Sequence, residues 1–334
     1  MRDNQTVTDD VMDNPRAERV KKTAALATRA GRRRQGLFLA EGPQPVREAL
    51  QLWLRRWEPA EGGPPGSADP AQAAHAQLPA LDALYFDPQA LEQHSDVAVL
   101  VDRLRGVLFD PQEVLAREAR VFLREATAEV LAAMGEAETS QGIIAVCRTP
   151  SSASADLEPL LAGRGPAGGR GAAERFPTVL APVTLGLQDP GNMGTIIRTA
   201  DAAGAGAVLV GPGSADPWAP KVVRAAAGSH FHLPILTGAD LHHVVAAARN
   251  HQWQVLAADG GAETLLTELT PSGLGRPTLW LLGNEAHGLT EEEKALADQR
   301  VAIPLYGQAE SLNVAAAASI CLYSSAMAQR SRRR

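Results

Sequence analysis

Two asparagines, an arginine and a glutamate, set among glycines in loops that follow apolar runs, are the residues of this chain best placed for chemistry. Asn192 lies in Gln188-Asp189-Pro190-Gly191-Asn192-Met193-Gly194, which leads into a helical stretch carrying Arg198. The proline and glycines shape a tight turn, and a helix start offers free N–H groups to an anion. Arg198, one turn on, can project towards the same place; the plainer reading is a strand-to-helix turn with Arg198 on a solvated face.

The second loop is Leu281-Leu282-Gly283-Asn284-Glu285-Ala286-His287-Gly288-Leu289. A glycine straight after an apolar strand lets a planar ligand approach the backbone. Glu285 follows at the strand end, where it could equally be a capping acid, and His287 alone reads as structural. The third loop runs from Ile303-Pro304-Leu305 to Ser311-Leu312-Asn313-Val314, ahead of a helix of small residues. Ser311 could cap that helix. Asn313, in its first turn, needs a specific partner if buried. Close packing on a sheet or on a second subunit would both suit small residues.

Elements must carry these loops. From Phe176 onward, apolar strand-like runs at 178–187, 207–210, 253–257, 278–282 and 301–304 alternate with helical patterns at 194–204, 221–227, 241–250, 291–297 and 312–327. Such alternation predicts a parallel sheet covered on both faces, with ligands at the carboxyl ends of its strands. The first half is less regular. A helix is expected from Glu18 to Thr28, stopped by Gly31, then a strand at 37–39 and a helix at 46–54. Further strands or buried segments are expected at 84–86 and 97–101, a helix at 122–134 and a closing strand at 142–147. Residues 58–80, rich in Pro, Gly and Ala, read as an exposed insertion. The expected organisation is a disordered start (1–15), a small α/β unit (16–148), a linker (149–176) and a larger α/β domain (177–330).

Composition narrows the function. At 334 residues, two domains are the default. Cys147 and Cys321 are too few and too far apart for a disulfide framework or a zinc site, so buried thiols and a cytoplasmic location are expected. No apolar run could span a bilayer, no signal peptide is evident, and no metal site is expected. The net charge of −6 hides a basic segment, in which Arg29, Arg32, Arg33 and Arg34 crowd together, and an arginine-rich tail. Either could contact a phosphate backbone or be a solvated surface. There is no P-loop, and Gly204-Ala205-Gly206 breaks the dinucleotide pattern and follows a helix instead of a strand.

Taken together, the three loops resemble the three motifs of the SpoU (TrmH) family of RNA ribose 2′-O-methyltransferases, within the SPOUT superfamily. The first is matched by Asn192, Gly194, Arg198 and Ala200, the second by Gly283-Asn284-Glu285 with Gly288-Leu289, and the third by Ile303-Pro304-Leu305 with Ser311-Leu312-Asn313-Val314. Pro217, Lys221, Arg224 and the 228–234 stretch resemble the segment between motifs, with Ala226 where many members carry Ser. Leu26, Arg29, Arg33, Phe38, Glu41-Gly42 and Gln141-Gly142 resemble the family's L30e-like ribosomal-protein substrate-binding domain more weakly.

The resemblance implies a trefoil-knotted C-terminal domain, a homodimer, and S-adenosylmethionine held by Leu282, Gly283, Asn284, Ile303, Pro304 and Leu312. It implies attack of a ribose 2′-hydroxyl on the sulfonium methyl, with Asn192, Arg198, Glu285, Ser311 and Asn313 as the catalytic set. Deprotonating a guanidinium is expensive, so Arg198 reads better as a clamp on phosphate and developing alkoxide than as the base, which stays open. Arg29, Arg32, Arg33 and Arg34 would contact the RNA, ribosomal first and transfer RNA second. The competing readings are a catalytically silent RNA-binding protein of the same fold and a knotted enzyme acting on a base. The intact polar residues of all three motifs favour the ribose-modifying enzyme.

Overall fold

The computed structural model describes residues 11–57, 77–110, 115–150, 157–162, 180–238 and 240–331. The chain divides into two compact units, one ending at Arg148 and the other running on from Thr149.

The first unit is a four-stranded mixed sheet ordered β1 (Leu37–Glu41), β4 (Ile143–Arg148), β2 (Ala80–Phe86), β3 (Phe122–Glu125). β4 runs antiparallel to both neighbours, and β3 is parallel to β2. Helices Pro43–Trp57 and Ser95–Leu108 pack together, and the second buries Val97, Leu100, Val101 and Leu104. That i, i+3, i+4, i+7 spacing makes the apolar run at 97–101 one face of a helix, where a strand was the alternative. A second cluster gathers Val20, Leu26, Leu39, Tyr85, Val130, Leu131 and Ile144.

Three further expectations change here. The helix expected over 122–134 is a strand followed by a helix, Ala128–Met134, whose start is fixed by the Thr127 hydroxyl accepting from Val130 N–H. Gly31 stops nothing. The first helix ends at Ala24, a 3-10 turn over Ala25–Ala27 follows and Thr28 is extended. Gly31 sits inside a second helix, Arg29–Gln35, against the Ala25 carbonyl, where a Cβ would overlap it, and left-handed Gly36 ends that second helix. Met12 falls in the stretch read as disordered, yet it bridges to Ala126 and exchanges backbone hydrogen bonds with Glu125 and Thr127. The expected insertion lies outside the described residues over 58–76.

The second unit is an α/β domain with a six-stranded sheet ordered β10-β8-β9-β5-β6-β7: Gln299–Val301, Gln254–Ala258, Thr278–Leu282, Leu180–Thr184, Val208–Val210 and Ile235–Thr237. Every pairing is parallel. All residues of β5 and β9 are buried, as expected of strands covered on both faces. The alternation of strands and helices is as the sequence indicates, with β7 and the Leu157–Leu161 and Pro271–Leu274 helices added. The first of these short helices lies in the stretch read as a linker, but Leu157, Leu160 and Leu161 join the core with Val244, Trp253 and Leu279, and Trp253 Nε1 donates to Leu161 O at 2.9 Å. β10 covers Gln299–Val301 where 301–304 was expected, and past it only Ala302 pairs, in an isolated bridge to Leu265.

The Val314–Ser331 helix buries Ala315, Ala318, Cys321, Leu322, Ser325 and Ala326. Trp280 on β9 donates to Ser325 Oγ at 3.0 Å, and Thr199 and Ser319 hydroxyls join at 3.2 Å. These bonds seat the helix against β9 and the Pro190–Ala203 helix.

Candidate active site

The site is built at the ends of the two central strands. β5 and β9 are neighbours, and their pairing runs on as Leu185 N–H donates to Leu282 O at 2.8 Å. Past β5, Asp189 caps the Pro190–Ala203 helix by accepting from Asn192 N–H at 2.7 Å, with Pro190 in the first turn.

Past β9 the chain folds back on itself. Asn284 and Gly288 exchange backbone hydrogen bonds at 3.0 and 2.9 Å. A Cβ on Gly283 would overlap the Gly288 carbonyl and Leu289 nitrogen, so this turn requires the glycine whatever ligand approaches it. The Asn284 side chain is committed to the same frame. Its Nδ2 donates to Gly186 O at 2.7 Å, and its Oδ1 accepts from Ala286 and His287 N–H at 2.8 and 3.2 Å.

Glu285 then faces the first loop. It accepts from Gln188 N–H (3.1 Å), Asp189 N–H (3.0 Å) and Asn192 Nδ2 (3.2 Å). Partial burial pushes its carboxyl upward, but those donors outweigh it and hold the group below the usual glutamate range. Glu285 is therefore a carboxylate at neutral pH, and its role is to accept hydrogen bonds and align their donors.

Asn313 arrives from the third loop. Its Nδ2 donates to Asn192 Oδ1 at 3.0 Å, and its Oδ1 accepts from Ala315 and Ala316 N–H at 2.9 and 3.3 Å. Asn313 thus caps the last helix, a place the sequence reading offered to Ser311. Ser311 is exposed and has no hydrogen-bond partner among the described residues. The Asn192 amide, fixed at both ends, cannot flip without setting its oxygen against the carboxylate.

Arg198 is exposed on the same helix as Asn192 and has no hydrogen-bond or ion-pair partner among the described residues. Its cationic head is open to an anion. Of the cofactor candidates, Leu282 and Gly283 are buried at the end of β9, Ile303 and Pro304 are half-buried, and Leu312 is exposed. From Ile303 to Leu312 no backbone N–H or carbonyl is hydrogen-bonded to another described residue. Open peptide groups beside apolar side chains fit the edge and faces of a heterocycle such as adenine.

The arginine cluster divides. Arg29, Arg33 and Arg34 are exposed, but Arg32 is buried and its Nη1 donates to Leu26 O and Ala27 O at 2.8 and 2.7 Å. Arg32 is corrected from an RNA contact to a structural residue that closes the carbonyls of the preceding turn. Glu41, in the motif-like Glu41-Gly42 pair, is likewise buried and accepts from Glu136 and Ala137 N–H. Sequence reasoning assigned no role to the Gln188 side chain or to Ser214. The signal for the second was Gly211-Pro212-Gly213 directly after β6, a strand-end loop like the other three.

Comparison with known proteins decides the family. The SpoU rRNA Methylase family profile matches residues 181–323. The 23S rRNA (guanosine(2553)-2'-O)-methyltransferase of Bacillus subtilis is 36% identical over 197 residues, covering 58% of this chain and 68% of the relative. The chain belongs to the SpoU rRNA methylase family. A second relative, the 23S rRNA (uridine(2479)-2'-O)-methyltransferase of Streptomyces viridochromogenes, is 32% identical over 236 residues, 66% of this chain and 75% of its own length. Among solved structures, an RNA 2'-O ribose methyltransferase superposes with a TM-score of 0.66 at 26% identity, covering 96% of this chain and 99% of that one. The SpoU methyltransferase AviRb of Streptomyces viridochromogenes, in complex with AdoMet, gives 0.63 at 26% identity, covering 95% and 98%. The matched residues 181–323 include all three loops described above.

Proposed function

We propose that the chain is an S-adenosylmethionine-dependent methyltransferase acting on a ribose 2′-hydroxyl of ribosomal RNA. The observation that carries this reading is the bonded series Glu285–Asn192–Asn313, which brings the three motif loops of a SpoU-family chain to one place. Relatives named as 23S rRNA 2′-O-methyltransferases support the substrate, and the AdoMet complex of a similar structure supports the cofactor.

S-adenosylmethionine supplies an electrophilic methyl on a sulfonium. Backbone groups of Leu282, Gly283 and 303–312 would hold it, with Ile303, Pro304 and Leu312 as apolar walls. Asn284 acts through the frame it holds.

A ribose hydroxyl ionises far above neutral pH, so it must be held in line while charge develops on its oxygen. The second Nδ2 hydrogens of Asn192 and Asn313 are free to donate to ribose oxygens. Arg198 clamps the adjacent phosphate and stabilises the alkoxide. Glu285, with its lowered pKa and three donors, orients Asn192 and is a poor proton acceptor.

In the same reading the segment from Ala302 to Asn313 forms the trefoil knot. It leaves the sheet at the β10 edge and returns to the end of β5, passing two strands. The first unit, residues 16–148, is the L30e-like domain that selects RNA, through Arg29, Arg33 and Arg34. The protein acts in the cytoplasm as a homodimer. Ile320, Tyr323 and Met327, 39%, 40% and 61% exposed along one stripe of the last helix, support that contact.

The experiment is transfer of labelled methyl to in-vitro-transcribed 23S and 16S ribosomal RNA and to transfer RNA, followed by mapping of alkali-resistant 2′-O-methyl positions. Label in ribosomal RNA at one ribose is expected. Binding of RNA and cofactor without transfer would instead favour the catalytically silent protein, and label on a base would remove the ribose assignment.

A further inference from the structure

The side chain of Gln188 has no part in the chemistry above, yet it is tightly held. Its Nε2 donates to Gly213 O at 2.6 Å and to Gly186 O at 3.4 Å. Gly186 and Gly213 are both left-handed, with φ of 64° and 75°, and a Cβ on Gly213 would meet Gly186 Cα at 3.7 Å. Below this contact the two loops are laced together. Ser214 Oγ accepts from Leu187 N–H at 3.2 Å and donates to Thr184 O at 3.3 Å, and Ala215 N–H donates to Leu187 O at 2.6 Å. The loop after β6 is thereby fastened along the loop after β5, and the Gln188 amide is the outermost tie.

The same residue also faces Glu285. While its side chain grips Gly213, its backbone N–H donates to Glu285 Oε2, next to the Asp189 N–H on Oε1. Glu285 can align Asn192 only if these two peptide groups stay still. They are flanked by Gly186 and Gly191, which restrict the backbone least. Asn284 anchors Gly186 from one side and the Gln188 amide anchors the peptide from the other.

We infer that Gln188 is a positioning residue for methyl transfer: its side chain ties the 185–189 loop to the 213–215 loop and so fixes the two N–H groups that hold Glu285 and, through it, Asn192. This inference rests on the proposed methyltransferase reading. Because Gln188 is exposed, its loss leaves the core intact. Its loss instead blurs the geometry of a reacting group, where displacements of about 1 Å can cost on the order of a hundredfold.

The test uses the full-length chain, S-adenosylmethionine and in-vitro-transcribed 23S ribosomal RNA in single-turnover methyl transfer, with cofactor Kd and thermal midpoint measured in parallel. Gln188→Met, which keeps the length without donors, is expected to slow transfer on the order of tenfold to a hundredfold with the cofactor Kd and midpoint close to wild type. Gln188→Glu, which sets a carboxylate against two carbonyls, is expected to slow it further. Because Gln188 works through Glu285, the Gln188→Met/Glu285→Gln double variant should be no slower than Glu285→Gln alone. A wild-type rate in Gln188→Met, or single-variant losses that multiply in the double variant, overturns the inference while leaving the enzyme reading intact. An inactive wild-type chain overturns the enzyme reading itself, and the inference with it.

Discussion

Asn313 donates from Nδ2 to Oδ1 of Asn192 at 3.0 Å, joining residues 121 positions apart. The same side chain caps the last helix through Oδ1, so one residue both starts that helix and fixes the amide in the site. These two duties can be separated. Asn313→Asp keeps the capping oxygen but loses the donor, so unfolding midpoints should stay close to wild type while kcat falls on the order of a hundredfold. Asn313→Ala should lose activity and also about 1 kcal/mol of stability. Equal stability losses in both variants would show that capping does not explain the Oδ1 contacts.

Arg198 is exposed and has no hydrogen-bond or ion-pair partner among the described residues. Replacing it with Ala should abolish methyl transfer while S-adenosylmethionine affinity, read by calorimetry, is nearly unchanged. Comparable losses in both would assign Arg198 to the cofactor instead of the RNA.

The arginine segment should split in the same way that its burial does. Arg32→Ala leaves two carbonyls without their donor and should lower stability by roughly 1–3 kcal/mol. The Arg29, Arg33 and Arg34 triple alanine variant should keep its stability, bind RNA more weakly and show a shallower dependence of log K on log salt. A triple variant with the wild-type salt slope would remove these side chains from the RNA interface.

His230 is fully buried, with Nε2 2.8 Å from Pro217 O. Burial pushes its pKa down to about 4, against the opposing pull of the Pro217 hydrogen bond. Its folded pKa lies below the unfolded value near 6.5, so the unfolded chain takes up the proton first as pH falls. The associated stability is present above about pH 6.5 and is lost on going down towards pH 4, by about 3 kcal/mol in all. The urea midpoint of wild type should fall more steeply than that of His230→Leu as pH drops across that window; parallel curves would mean His230 is not the group titrating.

Much of the second unit was legible because its signals are local. Strand runs such as Leu279–Leu282 are apolar throughout, since both faces are covered, and the Leu241–Asn250 helix has the predicted bounds. The first unit was harder. Phe122–Glu125 and Ala128–Met134 lie two residues apart, and only the Thr127 cap separates strand from helix. The apolar run at 97–101 fits either type until Leu104 extends its period.

By itself, the sequence marked candidate residues for the chemistry and set them in strand-end loops or in the helix that follows, because residue type and the spacing of apolar runs are properties of neighbours along the chain. Only the tertiary structure decided what each one touches. It took Ser311 out of the capping role and put Asn313 there, turned Arg32 inward, made Gly283 a requirement of the turn, and drew Gln188 and Ser214 into the frame of the site. The physical reason is that a hydrogen bond needs its donor within about 3 Å of its acceptor. Between positions as far apart as 192, 285 and 313, that distance is set by how β5 and β9 pair and where the last helix packs. No local pattern of residues encodes it.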